Sequence, residues 1–368
     1  MDSFGPQIGN SADSFFQTDA ELTIRERRAA KQNNKAGDPI TCTSKVLCMI
    51  LPNKYDYGYI GESGFIAKKI NLLTGKSAKI YKGHIGPITC IGLWYNDGEE
   101  YLITGSWDKT IKKFNTKNSE PIHTFISHTD FVKSLIISHI HNILFSGSSD
   151  KTIKSWNLLT GESLKVFRGH TRGIEDLAFD EGENFLYSAS SDSFVMKWNP
   201  LTAECLQVFK EHLTSIYCLK IIDEEMWTAS ADTTVKRWDL STGKPDTTFK
   251  HPDFVKCISL FGPYVITGSR DEIIRVYDIG SEKLINTIEG HFDEIGCMGI
   301  KGTTLYTGSL DCTIRKWSLH DITKETKDKK TEIQKTKIEP VLPKEIPGSL
   351  LTEEEEKELA ELMESDDE

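Results

Sequence analysis

Gly105-Ser106-Trp107-Asp108, with Phe114 six residues beyond the aspartate, is one copy of a phrase that returns five more times. The others read Gly147-Ser148-Ser149-Asp150 with Trp156, Ala189-Ser190-Ser191-Asp192 with Trp198, and Ala229-Ser230-Ala231-Asp232 with Trp238. Gly268-Ser269-Arg270-Asp271 with Tyr277 and Gly308-Ser309-Leu310-Asp311 with Trp317 complete the set. Successive copies stand 42, 42, 40, 39 and 40 residues apart. A fixed period near 40 marks a repeat architecture, in which no unit can bury its apolar face alone and neighbours stack to share a core. A decayed seventh copy, Gly61-Glu62-Ser63-Gly64 with Ile70 in the aromatic slot, lies 44 residues upstream. Seven such units use about 280 residues as one closed body.

Each unit reads as four short strands. In the second, Ile88 to Leu93 is apolar, Tyr101 to Thr104 is another run, Thr110 to Phe114 alternates, and Lys79 to Lys82 precedes Gly83-His84. Such runs, rich in β-branched and aromatic residues and divided by Asn-Asp-Gly or Thr-Gly turns, are strand signals. The turns after the third strand match one another: Asn71-Leu72-Leu73-Thr74-Gly75, Asn157-Leu158-Leu159-Thr160-Gly161 and Asp239-Leu240-Ser241-Thr242-Gly243. Helical spacing is absent from the array.

Composition narrows the function classes. No apolar run approaches the roughly 20 residues of a membrane helix, so no membrane association is expected. The N-terminus lacks a basic segment followed by an apolar one, which predicts an intracellular protein of the cytoplasm, the nucleus or both. Five of the eight cysteines (Cys48, Cys90, Cys218, Cys257, Cys297) share one repeat position, two residues after an aliphatic. They read as small core residues, not as disulfides or metal ligands. Residues 352–368 hold ten acids and one lysine, a net −9 of the −11 total, which leaves −2 for the rest. A near-neutral body has no basic field to attract nucleic acid, and direct nucleic-acid binding is not expected.

The units resemble WD repeats, the building blocks of the WD40 β-propeller family, over roughly residues 38–320. The histidine before the first strand is present as His84, His128, His170, His212, His251 and His291, and the second-strand hydroxyl as Thr104, Ser146, Ser188, Thr228, Thr267 and Thr307. The resemblance implies an all-β, seven-bladed WD40 propeller at 37–320. A short extension at 1–36, a lysine- and proline-containing linker at 321–349 and an acidic, partly helical or disordered tail at 350–368 flank it. It also implies a hydrogen-bonded chain within a blade, from Asp to His to Ser/Thr to the indole. The full set stands in four repeats: His128, Ser146, Asp150, Trp156; His170, Ser188, Asp192, Trp198; His212, Thr228, Asp232, Trp238; and His291, Thr307, Asp311, Trp317. Phe114 and Tyr277 depart from it. The first unit has Cys42, Ile60, Gly64 and Ile70 instead, which predicts apolar packing alone. The last blade is expected to take a closing strand from residues 37–40, although Pro39 lacks an amide donor; a strand after Trp317 is the rival.

Three apparent active-site signals dissolve. Ser146, His128 and Asp150 have triad residue types, but the trio recurs in six repeats, and an active site has no reason to be built six times. Thr74-Gly75-Lys76-Ser77 lacks the upstream glycine of a phosphate loop, because Ile70 stands there. His139 and His141 have no acidic or cysteine partner at ligand spacing. No enzyme, cofactor or metal site is expected.

Function then falls to what the loops display. By the resemblance, the docking face is reached by the residue before the turn aspartate and those flanking the first-strand aliphatic: Leu47, Trp107, Phe131, Lys133, Glu175, Tyr217, Phe254, Lys256, Arg270 and Leu310. Aromatics and arginine are the enriched anchor types at interfaces. A scaffold or adaptor in a multiprotein complex, binding other proteins through this face, is the first reading. A recognition subunit for short phosphopeptides, as in a ubiquitin ligase, would need Arg172, Lys133, Lys256 and Arg270 to converge. An RNA-associated assembly factor is the third. Thr352 and Glu355 form a capping box before Leu351, Leu359, Leu362 and Met363 on one helical stripe. The tail is therefore either a solvating appendage or a helix that docks on a basic, apolar groove; Arg25, Arg27, Arg28 and Lys31 offer one such basic stretch.

Overall fold

The computed structural model describes residues 34–324; the basic stretch at 25–31 and the acidic tail lie outside the described residues. Within them are seven four-stranded antiparallel sheets, one per repeat. Blade 1 runs from the centre outward as Val46–Ile50, Tyr57–Glu62, Ala67–Asn71 and Ser77–Tyr81. Blades 2 to 6 begin with Ile88–Asn96, Val132–Ser138, Ile174–Phe179, Ile216–Ile222 and Val255–Phe261, and blade 7 with Ile295–Lys301. The decayed first repeat is thus a complete blade.

The ring closes from the N-terminal side. Ile40–Thr41 is the outer strand of blade 7, with Ile40 opposite Ile314 and Thr41 opposite Thr313. Pro39 falls just before this strand, where its missing donor removes no ladder bond. Gly37 O accepts from Lys316 N at 2.6 Å, and Arg315 donates to the carbonyl of Asn34 at 2.9 Å. Ser318 ends the third strand of blade 7, and the described residues after it form a single helical turn, Leu319–Ile322, whose Leu319 and Ile322 are buried against blades 6 and 7.

Apolar burial lies between blades as well as within them. Seven apolar clusters occupy the seven junctions; Ile40, Val46, Ile60, Ile70, Tyr306 and Ile314 form the one that joins blade 7 to blade 1. Close approach explains the small residue, glycine or alanine, that opens the repeat phrase. A Cβ on Gly105 would stand 2.5 Å from Cys90 Sγ and 2.8 Å from Val132 Cγ1 of the next blade. The residue after the turn position, aspartate in six blades and Gly64 in blade 1, has a left-handed backbone throughout, φ 64° to 72°, yet is never glycine: Phe65, Lys109, Lys151, Ser193, Thr233, Glu272 and Cys312. In six blades the aspartate side chain holds the turn by accepting the N–H two residues on, as Asp150 Oδ1 does from Thr152 N at 3.0 Å. Such side-chain turns offset the penalty of a left-handed residue.

Inside the blades the polar chains are laid out by distance. His128 Nδ1 lies 2.7 Å from Asp150 Oδ2, its Nε2 lies 2.8 Å from Ser146 Oγ, and Trp156 Nε1 donates to that hydroxyl at 2.9 Å. The same linkages join His170, Asp192, Ser188 and Trp198; His212, Asp232, Thr228 and Trp238; and His291, Asp311, Thr307 and Trp317. Burial alone would raise the aspartate pKa, but the hydrogen bond from His170 and the N–H groups of Thr171 and Phe194 hold Asp192 down at about 2. Asp192→Ala is expected to destabilise the protein by roughly 1–3 kcal/mol, because it strands the buried His170 and the chain behind it. Equal denaturant midpoints for Asp192→Ala and the parent would contradict this.

Three blades are wired differently; in blade 2 His84 still joins Asp108 and Thr104, at 2.7 and 2.8 Å, but Phe114 offers no indole N–H. In blade 6, His251 keeps Thr267 at 2.9 Å but its Nδ1 has no partner. Asp271 has turned to Arg275, at 2.6 and 3.1 Å. The residue after His251 is Pro252, which lacks the N–H that the equivalent Thr129 donates to Asp150. Blade 1 overturns the expectation of apolar packing alone. Glu62, in the slot of the repeat serine, is fully buried and pairs with buried Lys68 at 2.6 Å. Thr43 and Ser44 donate to its other oxygen at 2.6 and 3.0 Å, and Lys68 donates to Thr43 at 2.7 Å. The pair satisfies itself where the histidine and aspartate are missing.

Candidate functional site

One backbone hydrogen bond, repeated in all seven blades, gathers the candidate residues at one end of the ring. The residue before the turn aspartate, or before Gly64 in blade 1, donates to the carbonyl of the residue that precedes the first strand. The pairs are Ser63 to Lys45, Trp107 to Pro87, Ser149 to Phe131, Ser191 to Gly173, Ala231 to Ser215, Arg270 to Phe254 and Leu310 to Glu294, at 2.9–3.0 Å. Trp107, Phe131, Phe254, Arg270 and Leu310 therefore share one rim. Leu47, Lys133, Glu175, Tyr217 and Lys256 come from the first strands and line the central channel, a cavity of about 380 Å³.

The side chains on this rim meet across blade boundaries. Trp107 of blade 2 stacks on Phe131 of blade 3, with ring centroids 5.2 Å apart and planes at 20°. Both remain exposed, at 44% and 39%. Lys133 of blade 3 pairs with Glu175 of blade 4 at 2.5 Å. Lys256 of blade 6 lies 3.7 Å over the ring of Tyr217 in blade 5 and 3.2 Å from Glu294 in blade 7. Arg270 covers Phe254 at 4.0 Å and pairs with Asp253 at 2.9 Å. Three of the four basic side chains that a phosphopeptide would need thus already face carboxylates. Leu310 is half-buried and Leu47 contributes an aliphatic wall to the channel.

The histidine–hydroxyl–aspartate trios have triad connectivity but no access. Ser146, Ser188, Thr228 and Thr307 are fully buried and each hydroxyl also receives an indole N–H, so no substrate carbonyl can approach. Gly75 completes a turn, its N–H donating to Asn71 O at 2.9 Å. His139 sits in an exposed turn that Glu183 caps from blade 4, at 3.2 Å from its N–H. Among the described residues no three His, Cys, Asp or Glu side chains gather as a metal site, and no helix is long and apolar enough to cross a membrane.

Sequence reasoning missed a second polar centre, at the opposite end of blades 1 and 2. Glu100 accepts from the phenols of Tyr59 at 2.6 Å and of Tyr57 and Tyr95 at 3.1 Å, with Lys69 3.7 Å away and 3.5 Å over the Tyr57 ring. Burial and the adjacent Glu100 charge push the Tyr95 hydroxyl up to about 12. The only signal was a local crowding of tyrosines. The blade 1 pair was more legible, since Glu62 stands where the other six repeats have serine.

Comparison with known proteins fits this architecture. The family described as "WD domain, G-beta repeat" matches residues 75–115, 119–157, 161–199, 203–239, 243–278 and 282–318. An uncharacterized WD repeat-containing protein of Schizosaccharomyces pombe is 32% identical over 375 residues, covering 96% of this chain and 99% of the relative. Local similarity extends to Mitochondrial division protein 1 of S. pombe, 28% identical over 19% of this chain and 11% of that protein. It extends also to a coronin-like protein of Saccharomyces cerevisiae, 37% identical over 19% and 11%. With six matched repeats, a near full-length relative and seven blades in place, the chain belongs to the WD-repeat family of β-propellers.

Proposed function

We propose that this protein is a non-catalytic adaptor, a rigid ring that holds protein partners of a larger assembly against the rim carrying Trp107, Phe131, Tyr217, Phe254 and Arg270. WD40 propellers are generally protein-interaction scaffolds, and rigid rings place interaction chemistry in their loops. The observation that carries the reading is the stacked, exposed Trp107–Phe131 pair beside the channel mouth. Large rings held flat at the surface supply apolar contact at small entropic cost, which is the profile of an interface anchor. The phosphopeptide alternative has less support, because Lys133, Lys256 and Arg270 are ion-paired within the protein.

The test is the double change Trp107→Ala with Arg270→Ala, followed by affinity purification and mass spectrometry. The parent is expected to retain a defined set of partners and the variant to lose them by ~30-fold or more, the effect of removing anchor residues worth 2 kcal/mol or above. The melting midpoint should move little, since both side chains are exposed and the Arg270–Asp253 pair is a surface ion pair. Retention of every partner by a folded double variant would place the binding site elsewhere.

A further inference from the structure

The strand that closes the ring leads into a cysteine that faces another. Ile40 and Thr41 face Ile314 and Thr313. One step further, Cys42 donates its N–H to the carbonyl of Cys312 at 2.8 Å, so the two residues stand directly opposite each other. Opposed residues that share a backbone bond are about 5.5 Å apart at Cα, inside the roughly 4.4–6.8 Å range of disulfides. Both side chains are half-buried, and both are free thiols. Neither belongs to the set of five cysteines packed at the common first-strand position. Cys42 follows the closing strand, and Cys312 occupies the left-handed turn position of blade 7, at φ 64°.

We propose that Cys42 and Cys312 form a reversible disulfide that latches the propeller ring shut under oxidising conditions. The closing strand Ile40–Thr41 pairs over only two residues. It therefore offers less ladder to resist opening than the outer strands of the other blades. A bond between residues 42 and 312 would close a loop of roughly 270 residues, the regime in which a cross-link restricts the unfolded chain most. Cys312 sits in a left-handed backbone, φ 64°, which a bridge to Cys42 would have to accommodate. Strain of that kind makes a bond easier to reduce, which suits a switch better than a permanent staple.

The chemistry balances with glutathione disulfide as oxidant. The Cys312 thiol loses its proton and its sulfur attacks glutathione disulfide; that S–S bond breaks and one glutathione thiolate leaves. The Cys42 sulfur, after losing its proton, attacks the mixed disulfide at Cys312 and expels the second glutathione. Two protein thiols are oxidised, one glutathione disulfide is reduced to two thiols, and the two protons end on those thiols. Burial, with Glu62 alongside, pushes the Cys42 thiol up to about 12, so exchange is slow and a sustained oxidising poise is needed.

The full chain with Cys205→Ser, which removes the exposed cysteine, is incubated across a series of glutathione disulfide to glutathione ratios. It is then acid-quenched, alkylated and mapped without reduction. The expected result is a peptide linking Cys42 to Cys312. A rise in melting midpoint of roughly 4–8 °C should accompany it, reversed by dithiothreitol. Cys42→Ser and Cys312→Ser should each abolish the link and the rise, while in reducing buffer their midpoints stay near the parent's. The parent map stands even if a serine variant folds poorly. A Cys42–Cys297 link, glutathione adducts without the cross-link, or a Cys42–Cys312 bond that leaves the midpoint unchanged would overturn the latch.

Discussion

Glu62→Ala is expected to lower the unfolding free energy by about 3–5 kcal/mol, the cost of leaving one partner of a buried ion pair uncompensated. Lys68 would be left in a site where only Thr43 remains as a hydrogen-bond partner, because the carboxylate at 2.6 Å is gone. The thermal midpoint should fall by roughly 6–20 °C, given about 2–4 °C per kcal/mol for a domain of this size. The joint change Glu62→Leu with Lys68→Met should recover most of the loss, since buried ion pairs are often replaceable by apolar groups of similar volume. A Glu62→Ala protein that melts with the parent would show that the pair does not carry blade 1. The two halves of this prediction separate a pair that stabilises the fold from one whose members merely neutralise each other.

Stability should decline on acidification in two stages, the first of them set by His251. Burial, with the neighbouring Arg275 charge, lowers this imidazole from 6.5 to about 4. The unfolded chain then binds the proton more readily than the folded one, so stability is full above about pH 7. It falls as pH drops from about 6.5 towards 4. A difference of about 2.5 pKa units corresponds to about 3 kcal/mol at the low end of that window. His291, likewise lowered by burial, acts in the same direction. The second stage belongs to the aspartates of the polar chains. Asp192, held at about 2 against an ordinary 3.8, contributes stability present above pH 4 and lost as pH falls to about 2. Denaturant titrations at pH 7, 5.5 and 4.5 check the first stage: the parent should weaken steadily, and His251→Gln should weaken less. A parent whose unfolding free energy is level from pH 7 to 4.5 would contradict the burial of a neutral, half-partnered histidine.

Blade 6 and blade 1 show how a repeat tolerates loss of its polar chain. Asp271 could not be shared with a backbone donor at Pro252, and Arg275 claims it from the neighbouring strand. Blade 1 has no histidine or turn aspartate at all, and a carboxylate in the serine slot recruits Lys68, Thr43 and Ser44. Both solutions obey one rule: a buried polar group finds a partner, or it loses its charge. His251, whose Nδ1 has no partner, follows the second branch.

The fold was legible in the linear chain because its determinants are local and periodic. Strand alternation, the aspartate-held turn and the glycine or alanine that opens the repeat phrase are each set by a few residues and recur near 40. Even the departures at Phe114, Tyr277, Pro252 and Glu62 can be seen by aligning the repeats. Tertiary structure alone decided which side chains meet between blades. Lys133 with Glu175, Lys256 over Tyr217, and three phenols on Glu100 join residues about 40 apart in most cases, and their pairing depends on how far each blade is turned against the next. The ring's closure is of the same kind. Whether residues 40–41 or the segment after Trp317 completes blade 7 depends on which end reaches Thr313 and Ile314, and loop chemistry near either end carries no record of that distance.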